Sequence, residues 1–309
     1  MTGSHTSPSR LRAEDLTLAY DQRTVATALG VDIPDDSFTV ILGPNACGKS
    51  TLLKALARML KPKAGQVYLD GQAISSYRSR EVARRLGLLP QSSNAPGGIT
   101  VGDLVARGRY PHQRLLRQWS ADDEEAVVEA MRQTGVLELA ERPVDDLSGG
   151  QRQRVWLAMV LAQQTDILLL DEPTTYLDIA HQVEVLDLCA ELHARKRHTV
   201  VAVLHDLNQA CRYATHLIVL RSGGKVAAEG APAEIMTSEL VEDVFGLPCR
   251  IIDDPETGTP LMVPAAPRQH TPEQTVADAV RRATRDGANS TDAGARDTSP
   301  ADTVMADTP

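Results

Sequence analysis

The sequence predicts an α/β fold built on a mostly parallel sheet, with an antiparallel β flank and an inserted helical subdomain. Three observations carry this. Short unbroken apolar runs recur at "FTVILG" (38–43), "DILLLDE" (166–172), "TVVAVLHD" (199–206) and "HLIVL" (216–220). Runs of this kind, continuous rather than alternating, mark strands covered on both faces, as in a parallel sheet flanked by helices. Segments of helical period separate them, at 48–60 and 180–196, and strand–helix alternation is the pattern of an α/β core. The stretch from about 92 to 165 has no strong strand signal and reads as the helical insertion.

The remaining elements are taken in chain order. Residues 1–8 are polar and expected to be disordered. "LRAEDLTLAY" (11–20) alternates apolar and polar residues, which suits an antiparallel strand with one solvated face. "RSGGKVAAEG" (221–230) reads as a hairpin turning at Gly223 and Gly224. From residue 264 to 309 the chain is rich in Ala, Asp, Thr, Pro and Arg and has no aromatic residue. Such a tail buries too little apolar surface to offset the entropy of ordering; a weak helix over 276–285 is the competing reading. The folded body is therefore expected over 9–263. There is no internal repeat and no heptad pattern for a coiled-coil arm.

Bulk composition narrows the function. The 309 residues carry a net charge of -9, which disfavours sequence-independent nucleic-acid binding, a task for basic surfaces. The first ten residues lack the apolar run of a secretory signal, and no segment has the unbroken apolar length of a membrane helix. A cytoplasmic setting is expected. The four cysteines, Cys47, Cys189, Cys211 and Cys249, are far apart and form no C-x-x-C pair. They match neither a zinc site nor a disulfide framework, and they fit a reducing compartment.

The most informative stretch is "GPNACGKST" (43–51). It satisfies G-x-x-x-x-G-K-[ST], with an apolar strand before it and an apolar helix after it, the context the motif requires. In such a loop the backbone of Gly43, Pro44, Asn45, Ala46, Cys47, Gly48, Lys49, Ser50 and Thr51 curls around phosphate oxygens, its N–H groups turned inward. The positive end of the helix that begins there supports them. Lys49 is placed to reach the β- and γ-phosphates of ATP, and the Ser50 hydroxyl to ligate Mg²⁺. Two residues raise questions. Ala46 matters only if its backbone needs a positive φ, which alanine tolerates poorly. Cys47 has two readings: a small loop side chain, or a thiolate stabilised by Lys49 and the helix end, protected from reagents by ATP.

A second acidic station closes "DILLLDE". Asp171 at the strand end suits Mg²⁺, directly or through water, and Glu172 suits orientation or deprotonation of an attacking water. "LSGGQRQRVWLAMVLAQ" (147–163) begins with Ser148, a good helix N-cap, and Gly149 and Gly150 leave that helix end sterically open. The helix behind it is apolar from Val155 to Ala162 and is expected to be buried.

With "LSGGQ" in place, the chain resembles an ATP-binding-cassette (ABC) ATPase from about residue 9 to 263, with the motifs in the family's order. The resemblance implies a P-loop NTPase core of the RecA-like kind. It also implies roles. Leu147, Ser148, Gly149, Gly150 and Gln151 would be the signature that closes over ATP bound to a partner subunit. Gln91, ending "RLGLLPQ", would be the Q-loop glutamine sensing Mg²⁺ and the γ-phosphate. Tyr20 would stack on adenine, Leu177 and Asp178 would form the D-loop, and His205 would be the switch histidine. The implied assembly is a head-to-tail homodimer holding two ATPs, docked through the region of Gln91 and residues 97–112 on two integral-membrane permease subunits. The ATPase would sit peripherally at the cytoplasmic face of the cell membrane, with a substrate-binding protein as an indirect partner and no nucleic acid. "GITVGDLVARGRYPH", "DEPTTYLDIAHQVEVLDL" and "VLHDLNQACRYATHLIVL" are similar to ATPases of bacterial ferric-siderophore importers, of the ferric dicitrate, hydroxamate and enterobactin type. Haem and cobalamin importers share this architecture, and a non-transport ABC ATPase acting on nucleic acid or ribosomes is the alternative of another class.

Overall fold

The structure is a computed structural model that describes residues 9–20, 23–91, 94–113, 119–196 and 198–266. The expectations for 1–8 and for a helix over 276–285 lie outside the described residues. The chain divides after Ala265 into two units, and the fold is that of the first.

Among the described residues, twelve strands make three sheets. In chain order they are β1 (Leu11–Tyr20), β2 (Arg23–Ile33), β3 (Phe38–Leu42), β4 (Ala64–Leu69), β5 (Gln72–Ala73), β6 (Leu86–Leu89), β7 (Ile167–Asp171), β8 (Thr199–Val203), β9 (His216–Arg221), β10 (Lys225–Gly230), β11 (Cys249–Asp253) and β12 (Pro260–Pro264). The central sheet has the order β10-β9-β3-β8-β7-β6 and is parallel except for the β9–β10 edge hairpin. A second sheet, β2-β1-β4-β5, is wholly antiparallel. Strands β11 and β12 form a separate antiparallel pair.

The unbroken apolar runs have their expected cause: every residue of β3, β7 and β8 is buried. Successive side chains leave a strand on opposite faces, and here each face has its own core. Val40, Leu42, Leu168, Leu170, Val200 and Ala202 join one hydrophobic cluster, while Ile41, Leu169, Val201 and Val203 join the other. The second cluster includes Leu11, Leu16, Leu18, Ile33 and Leu69 of the antiparallel sheet, so that sheet covers one face of the central one.

Nine helices lie within the described residues: α1 (Lys49–Leu56), α2 (Ser79–Ala83), α3 (Val101–Ala106), α4 (Ala121–Gln133), α5 (Gly149–Ala162), α6 (Ile179–Lys196), α7 (Leu207–Tyr213), α8 (Pro232–Ile235) and α9 (Ser238–Phe245). Helix α1 is shorter than the 48–60 pattern predicts. It ends at Leu56 with Ala57 as its C-cap, Arg58 turns left-handed with φ 60°, and the Met59 and Leu60 N–H groups both reach back to the Lys54 carbonyl. No glycine announces this reversal, which is why the pattern overruns it. Between β6 and β7 the described residues contain α3, α4, α5 and short 3₁₀ turns. Helix α5 is the hub: Val155, Leu157, Ala158, Val160 and Ala162 are fully enclosed in the first cluster.

One buried ion pair ties this helical region together. The Arg109 guanidinium donates to Asp123 Oδ1 at 2.8 Å, to the Ala162 carbonyl at 2.7 Å and to Gln164 Oε1 at 2.8 Å. Asp123 also belongs to the capping box that Ser120 makes at the start of α4. Burial pushes the Asp123 carboxyl up, but the bonds from Arg109 and Ser120 outweigh it and leave its pKa below the ordinary aspartate range. The expected cost of Asp123→Ala, which strands a buried guanidinium, is about 3–5 kcal/mol, measurable by urea unfolding. Because the folded carboxyl titrates below the unfolded one, this stabilisation is complete above the ordinary aspartate pKa and is lost as pH falls through the depressed folded value.

Candidate functional site

The phosphate-type loop departs from the end of β3. Gly43 has φ 152°, and a Cβ there would lie 2.4 Å from the Leu220 carbonyl oxygen and 2.7 Å from Cys47 Sγ, so no larger residue fits. Gly48, at the N-cap of α1, has φ 107°. Ala46 is indeed left-handed, with φ 61°. That conformation costs an alanine about 1–2 kcal/mol, and the residue is exposed. The helix start has no side-chain cap, so its first N–H groups face outward for a ligand. Lys49 is buried, and its ammonium donates to the Gly43 carbonyl at 2.9 Å and the Pro44 carbonyl at 3.0 Å. These two bonds hold the charge over the loop.

Cys47 resolves against the thiolate reading. Its side chain is 1% exposed and belongs to the second core cluster. Burial raises the thiol pKa, and the nearby Lys49 only partly opposes that. Sγ fills the inside of the loop beneath Gly43.

The two adjacent acids receive opposite treatment. Asp171 ends β7 fully buried, and among the described residues neither carboxylate oxygen accepts a hydrogen bond. Burial pushes its pKa up, with the Ser50 hydroxyl and Lys54 opposing. A buried, unpartnered carboxylate is costly unless a cation or a donor completes it, so Asp171 beside Ser50 fits a divalent ion. Glu172 turns the other way because its backbone is left-handed, at φ 53°. Its Oε2 accepts from Gln91 Nε2 at 2.6 Å and from Thr175 Oγ1 at 3.0 Å, and its Oε1 lies 2.7 Å from His205 Nε2. Burial alone would raise this carboxyl, but the bonds from His205, Thr175 and Gln91 hold it below the ordinary glutamate range.

A cleft of about 490 Å³ is lined by nine of the residues expected from the sequence, Tyr20, Asn45, Ala46, Gly48, Lys49, Ser50, Thr51, Glu172 and His205, while Gly43, Pro44, Cys47, Gln91 and Asp171 are not in its lining. Arg23, Thr24, Val25 and Gly223 also line it and are not signalled by any motif. They arrive through pairing in the antiparallel sheet and through the β9–β10 turn. Gly224 in that turn passes so close to β2 that a Cβ would lie 2.2 Å from that of Ala26.

Ser148, Gly149, Gly150, Gln151 and Asp178 do not line this cleft. Ser148 caps α5, its Oγ accepting from the Gln151 N–H while Gln151 Oε1 accepts from the Ser148 N–H. Gly150 is required by close approach, since a Cβ there would lie 2.4 Å from His181 Cδ2. That imidazole is held in turn by Asp178, whose Oδ1 accepts from the His181 N–H at 3.0 Å and pairs with Nδ1 at 2.6 Å.

A strand–loop–helix cradle with a buried lysine, an orphaned acid and a second, hydrogen-bonded acid defines a P-loop nucleoside triphosphatase. Comparison with known proteins sharpens this. The family described as ABC transporter matches residues 27–175. The ferric enterobactin transport ATP-binding protein FepC of Escherichia coli (strain K12) is 62% identical over 258 residues, 84% of this chain and 95% of that protein. The iron(3+)-hydroxamate import ATP-binding protein FhuC of Bacillus subtilis (strain 168) is 44% identical over 251 residues, 81% of this chain and 93% of that protein. Among solved structures, the dimeric structure of MJ0796, a bacterial ABC transporter cassette, matches with a TM-score of 0.64 and 27% identity, covering 72% of this chain and 98% of that one. The chain belongs to the ABC transporter family, as one of its ATP-binding, ATP-hydrolysing subunits. No helix among the described residues is long and apolar enough to cross a membrane.

Burial of Cys47 gives a direct test of the loop geometry. In the folded protein at pH 8 a maleimide should leave Cys47 unlabelled with or without ATP, whereas urea-unfolded chain should label at once. Peptide mass mapping after a timed pulse reads the outcome, and rapid native labelling suppressed by ATP would restore the thiolate reading.

Proposed function

We propose that this chain is the ATP-hydrolysing subunit of a ferric-siderophore importer, working with Mg²⁺ as a head-to-tail dimer beneath two permease subunits at the cytoplasmic face of the cell membrane, with a substrate-binding protein supplying the cargo. The observation that carries the catalytic part is Glu172, ionised, held by three side chains and aimed into the cleft whose floor is the Lys49 loop. At neutral pH it is a carboxylate, able to accept a proton, and its three hydrogen-bonding partners fix where it points.

The proposed roles follow position. Backbone N–H groups from Asn45 to Thr51 and the Lys49 ammonium bind the phosphates, and Tyr20, half exposed at the cleft rim, stacks on the base. Ser50 and Asp171 would hold Mg²⁺, which, when bound, would supply positive charge to offset the phosphates. His205 and Gln91 already touch Glu172 and orient it, and they would exchange that contact for the γ-phosphate and its water. The signature residues Ser148 to Gln151 lie outside the chain's own cleft, which is reasonable if they complete the cleft of a second copy. The MJ0796 cassette, solved as a dimer, supports the two-copy assembly on which this reading depends.

For the permease, a groove of about 640 Å³ beside Gln91 is the natural seat. It is lined by Met59, Leu88, Pro90, Trp156 and Met159, and Met59 is 72% exposed. The cargo is inferred from the relatives named for ferric enterobactin and iron(3+)-hydroxamate transport.

Glu172→Gln should bind ATP and dimerise but hydrolyse about 10²–10⁴-fold more slowly, the range for loss of a general base; turnover near wild type would remove Glu172 from that role. Cells carrying only this variant should fail to grow on a ferric siderophore as sole iron source. Equal growth on every siderophore, with a defect on haem or cobalamin instead, would move the cargo to those classes. Co-purification with ribosomes or nucleic acid rather than a permease would replace the transport reading.

A further inference from the structure

Two segments leave neighbouring strands of the central sheet and run outward from the site. One leaves β7 through Glu172 and reaches Leu177, Asp178 and the start of α6. The other leaves β8 through His205 and Asp206 into α7. They meet first at the site, where His205 Nε2 lies 2.7 Å from Glu172 Oε1. They meet again further out, where Gln209 Nε2 donates to Gln182 Oε1 at 3.0 Å. Gln182 Nε2 in turn donates to the Leu177 carbonyl at 3.0 Å. The two contacts close a ring through Glu172, Leu177, Gln182, Gln209 and His205.

The outer contact has one possible polarity. A backbone carbonyl only accepts, so Leu177 obliges Gln182 to present its amide nitrogen, which turns Oε1 towards Gln209 and obliges Gln209 to donate. Both glutamines are half-buried, so a broken bond would leave shielded amide groups poorly paired. Each side is anchored. The Gln209 N–H is capped by Asp206 Oδ1 at 2.9 Å, and the Gln182 N–H bonds the Asp178 carbonyl at 2.9 Å. Behind α7, the Asn208 amide grips the Met262 backbone twice, accepting from its N–H at 2.7 Å and donating to its carbonyl at 3.2 Å. Helix α7 is thus held from β12, and the turn before α6 is held from α7. That turn is also the exposed one: Tyr176 is 93% and Ile179 78% accessible.

We propose that Gln182 and Gln209 are positioning residues for ATP hydrolysis: their amide pair fixes the 172–178 turn against the helix behind His205, so that displacement of the exposed turn by a second copy is delivered to the His205–Glu172 contact. The proposal rests on the reading of Glu172 as base and His205 as its partner. Neither glutamine lines the cleft or touches a reacting atom, so both act through those two residues.

The test is steady-state ATP hydrolysis by the full chain and by Gln182→Leu, Gln209→Leu, the double variant and Gln182→Glu. Fluorescent-ATP binding and thermal melting are measured in parallel. Each single variant should lose about tenfold in kcat with KM within about twofold, since sub-ångström misplacement of catalytic groups costs rate rather than affinity. The double variant should be no worse than either single one, because both remove the same link. Gln182→Glu keeps the shape and the acceptor for Gln209 but cannot donate to Leu177, so it should be as slow as Gln182→Leu. A role in filling space predicts instead that Gln182→Glu is normal. The proposal is overturned if either Leu variant keeps kcat within about twofold of wild type, or if the double variant loses the product of the single losses, about a hundredfold. A wild-type chain that binds ATP without hydrolysing it would overturn the underlying reading of Glu172, an outcome distinct from active wild type with unaffected variants.

Discussion

Register in the central sheet is the constraint on which the site depends. Strand β8 lies between β3 and β7, and Val203 pairs with Ile41 on one side and Asp171 on the other. All three strands run the same way, so their carboxyl ends open together along one edge, the edge where parallel α/β sheets carry ligands. Each of these ends leads into a piece of the site: the Gly43–Lys49 loop after β3, Glu172 after β7 and His205 soon after β8. The register is locked by packing. A slip of one residue would send Val40 and Leu42 into the cluster that holds Ile41, and the same on β7 and β8. Geometry at the site is therefore inherited from two cores that never see a substrate.

On that frame, one backbone angle divides the labour between two neighbouring carboxylates. Were Glu172 to continue as ordinary strand, it and Asp171 would simply alternate across the sheet. The left-handed turn at Glu172 instead leaves Asp171 enclosed, with the Ser50 hydroxyl nearby but no hydrogen bond formed to either oxygen among the described residues, while Glu172 collects Gln91, Thr175 and His205. Burial pushes both carboxyls up; it prevails at Asp171, while at Glu172 the bonds from His205, Thr175 and Gln91 together outweigh it, so their pKa values are driven apart. Environments that separate the titration of adjacent acids suit them to separate tasks, and this separation is the ground for proposing Asp171 as the cation-holding acid and Glu172 as the base.

Much of this was legible in the sequence because each signal had a local cause. Runs buried on both faces must be apolar throughout, so β3, β7, β8 and β9 stood out. Gly43, Gly48 and Lys49 are fixed by loop sterics, and Ser148 by capping. The less legible features are those set by distant partners. The sequence posed the question of Ala46 but could not supply its angle. Cys47 carried two readings because its burial depends on a core assembled from β1, β2 and α1. Arg23 and Val25 reach the cleft by strand pairing, and Arg109 finds Asp123 across a helix junction. Strands β11 and β12 are only partly buried, so their composition gives little period to read.

The same logic explains why the signature residues are built as they are. Helix α5 must be apolar on nearly all sides because it is the centre of the first cluster, leaving only its amino end free to act. That end is not left floppy. Gly150 lacks a side chain, the His181 ring occupies the space, and Asp178 holds the ring from the turn before α6. The helix end and the turn are thereby fixed to each other, and Gln182 on that turn's helix is bonded to Gln209 behind His205. Residues that face away from the chain's own cleft are thus mechanically continuous with residues that line it. A rigid connection of this kind is of little use to an isolated site. It is useful where what happens at an outward face must be felt at Glu172 within the same catalytic cycle.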